Sequence, residues 1–70
     1  MNKLKEYIYK WLDGKTVRGI TVTPLQINLL IDVYNAKIRK EKIEFIDEGV
    51  ARILEKCGIK TTPVGIGWVA

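Results

Sequence analysis

A chain of 70 residues, 47% hydrophobic and 29% charged, is one small globular domain over 1–70, which excludes a disordered polymer and a multidomain enzyme. Histidine and serine are absent and there is one cysteine, so serine triads, imidazole bases, intramolecular disulfides and a zinc site in the monomer are excluded. Net charge is +4; residues 1–40 carry eight basic and three acidic groups (+5), and residues 41–70 carry four and five (−1).

Nine lysines against three arginines, with ten isoleucines, are the composition of an AT-rich genome, as in low-GC bacteria and their phages. Lys3, Lys5, Glu6 and Lys10 lie where a secretory signal would hold its apolar centre. Asn28 and Asp32 interrupt the most apolar run well short of the roughly 20 residues of a membrane span. The expected location is cytoplasmic, without a membrane span.

In chain order, residues 3–12 predict a helix, because Leu4, Tyr7, Ile8, Trp11 and Leu12 fall at i, i+3, i+4, i+7 and i+8. Asp13-Gly14 ends it. Residues 16–22 predict a strand from their β-branched content. Thr23-Pro24-Leu25-Gln26 has the form of a capping box with proline at the first helical position, opening a helix over 24–39. Val22 and Ile27 stand where a hydrophobic staple belongs. Apolar residues cover most of this helix, leaving the polar stripe Asn28, Asp32, Asn35 and Arg39. Such a helix is either central to the fold or part of a subunit interface, so a homo-oligomer through the 24–39 helix is one expectation.

After a charged turn over Lys37–Lys42, a further helix starts at 43 or 47 and ends at 57. If Asp47 is its cap, 42–46 becomes a short third strand. Gly58 fits the left-handed position of a Schellman motif, with Ile59 set to contact Leu54. Val64, Ile66, Trp68 and Ala70 alternate with Gly65, Gly67 and Val69, which predicts a strand over 63–69 that pairs with 16–22. The expected fold is α+β: two or three helices (3–12, 24–39 and 43/47–57) on a small sheet.

Cys57 has no histidine partner and lies in the apolar stripe of its helix, so it reads as a buried structural thiol. Asp47-Glu48 and Glu41/Glu44 suit the positive end of a helix dipole better than acid–base chemistry, because adjacent helical residues do not face one another. No catalytic residue, cofactor or metal site is expected, and the chain is not expected to be an enzyme. Residues 50–59 have the spacing of the first helix and turn of a helix-turn-helix, but Pro63, Gly65 and Gly67 forbid the recognition helix that should follow.

Two function classes are left. The first is a small regulatory protein, an accessory factor or inhibitor, that binds and modulates another protein. Its candidate contacts are Ile66, Trp68 and Trp11, with strand addition through the apolar final strand as the mode. The alternative is a nucleic-acid-binding regulator using the basic surface of residues 1–42, with Lys37, Arg39, Lys40 and Lys42 as phosphate contacts.

Overall fold

A computed structural model describes residues 2–44 and 46–70. Three helices, α1 (Asn2–Leu12), α2 (Pro24–Ile38) and α3 (Glu48–Lys56), precede two short strands, β1 (Thr62–Val64) and β2 (Gly67–Val69). The fold is a small α+β arrangement: α1 packs on α2, α2 on α3, and α3 on β2.

Each helix begins and ends for a local reason. At α2 the Thr23 hydroxyl accepts the Gln26 amide at 3.2 Å, while the Gln26 side chain accepts the Thr23 amide at 2.9 Å, completing the capping box. Asp47 caps α3 by accepting the Val50 amide at 2.8 Å, which resolves the two possible starts in favour of 47. All three helices close with the paired bonds of a Schellman motif. The Gly14 and Lys15 amides donate to Trp11 and Lys10, those of Lys40 and Glu41 to Lys37 and Ala36, and those of Gly58 and Ile59 to Glu55 and Leu54. The left-handed residue is glycine at 14 and 58 but lysine at 40, where φ is 58°.

The sheet differs from the sequence expectation in three ways. Residues 16–22 are not a strand and do not pair with 63–69. Val17 and Ile20 instead bond each other, at 3.1 and 2.9 Å, around a tight turn at Arg18 and Gly19. Both turn residues have positive φ, as a two-residue type I′ turn requires. The expected strand over 63–69 is a hairpin, with Thr62 opposite Val69, Pro63 opposite Trp68 and Val64 opposite Gly67. Gly65 takes φ 51° in the first of its two loop positions.

The third difference concerns the neighbour of β2. Ile43 and Ala70 exchange backbone bonds at 3.2 and 3.0 Å, and Ile46 and Trp68 at 3.1 and 3.0 Å. The short strand expected over 42–46 falls partly outside the described residues; of those described, Ile46 meets Trp68 in an isolated antiparallel bridge and Ile43 bonds Ala70.

The core lies where the three helices and the inner face of this ladder meet. Leu4, Leu30, Val33, Ile46, Val50 and Leu54 are fully buried. Trp11 joins them with its ring edge-on to Tyr7, and its Nε1–H donates to the Ile20 carbonyl at 3.0 Å, tying the 13–22 loop to α1. α2 is not enclosed on several sides: it buries Leu30, Val33 and Ala36, but leaves Leu25 and Ile38 exposed.

Candidate protein-binding face

The hairpin and α3 form one face. The two-residue loop lifts Ile66 clear of the domain, and its side chain is 93% exposed. Beside it Trp68 is half-buried, with its backbone fixed to Ile46 and its ring packed against the core. Ile66, Pro63 and Trp68 line one open depression with Ile46, Asp47 and Glu48, about 420 Å³ in volume. A second depression on the other side of Trp68 is bounded by Ala51, Arg52, Glu55 and Lys56 of α3. Val64, 45% exposed and paired with Gly67, points to the opposite face of the hairpin from Pro63 and Trp68.

The rim is charged, with three acids (Asp47, Glu48, Glu55) and two bases (Arg52, Lys56), and most of its polar groups are engaged. Arg52 bonds Glu48 one turn away at 2.7 Å, and the Thr61 hydroxyl donates to Glu55 at 3.2 Å. The Asp47 carboxylate is occupied as the cap of α3. The face therefore has an apolar centre with a polar border, the usual anatomy of a protein–protein contact.

The sequence candidates separate. Ile66 and Trp68 come together around one depression. Trp11 does not join them: at 5% exposure it is a core residue with its indole N–H already satisfied. Strand addition through the final strand is also corrected, because β2 is flanked on both sides. Trp68 directs its backbone N–H and C=O to Ile46, and strand alternation turns those of Gly67 and Val69 toward β1. On the outer edge of β1, alternation points Pro63 outward, and proline has no N–H to offer an added strand.

The basic candidates sit at the C-terminal end of α2. Lys37 is half-buried, Arg39 caps the helix and pairs with Glu41 at 3.3 Å, Lys40 holds the left-handed position, and Lys42 is exposed. Cations there meet the negative end of the helix dipole.

One surface had no counterpart in the sequence reading. Between α1 and α2 runs an open groove of about 210 Å³, lined by Lys5, Ile8, Tyr9 and Leu12 from α1 and Ile31 and Tyr34 from α2. Tyr9 and Leu12 are 63% and 58% exposed. The i+3/i+4 pattern assigns Leu12 to the core stripe, but no element of the fold covers that side.

Cys57 is buried, and desolvation pushes its thiol up from its ordinary value near 9.0, opposed in part by the Lys3 and Arg18 cations. Among the described residues, no cluster of three metal-ligating side chains and no helix able to cross a membrane is present. No protein-family model, curated protein or solved structure matches the chain.

Proposed function

We propose that this is a small non-catalytic binding protein that engages another protein through the hairpin face and modulates it by occupying its surface. The observation that carries the reading is Ile66: a β-branched apolar side chain held 93% exposed at the tip of a hairpin, beside a half-buried tryptophan. Isolated exposed hydrophobics are common, but this one stands with Pro63 and Trp68 around one depression. Interfaces concentrate their energy in such clusters, with tryptophan over-represented among the dominant residues.

The nucleic-acid reading draws on the same net charge but has less local support. Of its four candidates, Lys37 is half-buried and Arg39 is paired with an acid. The apolar hairpin face offers nothing to a phosphate backbone.

The test is capture from a low-GC bacterial lysate by tagged wild type and by an Ile66→Asp variant, each with and without nuclease. Ile66 makes little contact with the core, so the variant keeps the wild-type circular dichroism. A dominant protein that survives nuclease and is lost with Ile66→Asp is the expected result. Capture that disappears with nuclease and ignores the substitution would overturn the reading in favour of nucleic acid.

A further inference from the structure

We propose that the groove between α1 and α2 is a second docking surface, and that it takes an acidic amphipathic helix of a partner protein. Two features define the occupant. The lining is apolar along its length: Ile8 and Ile31 form the floor, and Tyr9, Leu12 and Tyr34 rise beside it. A groove between two helices accepts a helix that presents an apolar stripe at i, i+3/i+4 and i+7. The only charged lining residue is Lys5, which is exposed and has no ion-pair partner among the described residues.

Charge decides between occupants. Two of the three carboxylates among residues 1–40 are engaged: Glu6 pairs with Lys10 and Asp13 with Lys15, each at 3.4 Å. The third, Asp32, lies with Leu25 and Asn28 along another surface of α2, away from the groove. A second copy seated groove to groove would bring the two Lys5 ammonium groups together with no carboxylate in the lining to meet them. A nucleic acid would satisfy Lys5 but cover Tyr9 and Leu12 with phosphates. A partner helix with an apolar stripe flanked by Glu or Asp satisfies both features.

The probes are two synthetic peptides of about 14 residues with identical leucine spacing, one with glutamates and one with lysines at the remaining positions. Each is titrated into the full chain while backbone amide shifts are followed by NMR. The glutamate peptide is expected to move the amides of Tyr9, Leu12, Ile31 and Tyr34 and to bind at least about tenfold more tightly than the lysine peptide. Leu12→Asp, at an exposed position, should abolish binding with the fold intact, and Lys5→Glu should narrow or reverse the preference. Ile66→Asp should change nothing, which separates this proposal from the hairpin reading. Equal binding of both peptides, shifts confined to the hairpin, or tolerance of Leu12→Asp would overturn it. So would groove shifts that track a doubling of sedimentation mass, or displacement of the peptide from the groove by an oligonucleotide.

Discussion

Ile46 and Trp68 exchange both of their backbone hydrogen bonds, which occupies the last strand on the side away from β1 with an isolated bridge. Ile46 is also fully buried, so one residue both pairs with β2 and fills the core beneath it. Ile46→Val should cost about 1 kcal/mol and Ile46→Ala about 2–5 kcal/mol. The latter is comparable with the whole stability of a domain this small. Urea unfolding followed by tryptophan fluorescence measures both. Losses within about 0.5 kcal/mol for the alanine variant would mean that the buried Ile46 side chain contributes little.

Among the described residues, Lys40 is the one Schellman position not filled by glycine. Its φ of 58° costs an L-residue roughly 1 kcal/mol that glycine does not incur. Part of the gain from Lys40→Gly is offset by the greater freedom of glycine in the unfolded chain. The expected net stabilisation is about 0.5 kcal/mol, whereas Gly58→Ala should destabilise by about 1 kcal/mol. Thermal denaturation of the two variants should therefore move the midpoint in opposite directions. A Lys40→Gly variant that melts below wild type would contradict the assignment of strain to this turn.

These two cases show what the amino-acid pattern carried and what it hid. Thr23-Pro24-Leu25-Gln26 and Gly58-Ile59 encode their structures locally, and both are present as read. A charged turn was read over Lys37–Lys42, but at Lys40 it uses the same geometry without its usual residue, so its Schellman form was not marked. The run from Val64 to Ala70 alternates well enough to pass for one strand, because a two-residue loop with glycine first interrupts it only briefly. Thr16 to Val22 reads as a strand by composition, yet Arg18-Gly19 turns the chain and β2 has no free side left to receive it. At the candidate sites, Ile66 and Trp68 were legible as residues but not as neighbours around one depression. The α1–α2 groove depends on which helix faces lack a covering element, and that is a tertiary property.

The buried Cys57 thiol gives a pH prediction. Because burial raises its pKa in the folded chain, folding favours the protonated form. Its contribution is fully present below the ordinary thiol value and is lost as pH rises through the raised one. Wild type should therefore lose more stability between neutral pH and pH values above about 9 than Cys57→Ala does. The comparison subtracts every contribution common to both proteins. Native Cys57 should also react with a thiol reagent far more slowly than in denaturant. Parallel pH profiles together with rapid native labelling would show that the thiol is accessible.

The most direct test of the hairpin face as a contact surface is site-specific photo-crosslinking. A photoreactive residue is placed at position 66 in one sample and at position 42, on the basic turn, in another, and both are irradiated in a bacterial lysate. The expected result is one discrete protein adduct from position 66 that persists after nuclease treatment, with no comparable adduct from position 42. Nucleic-acid adducts from position 42, with none from position 66, would contradict it.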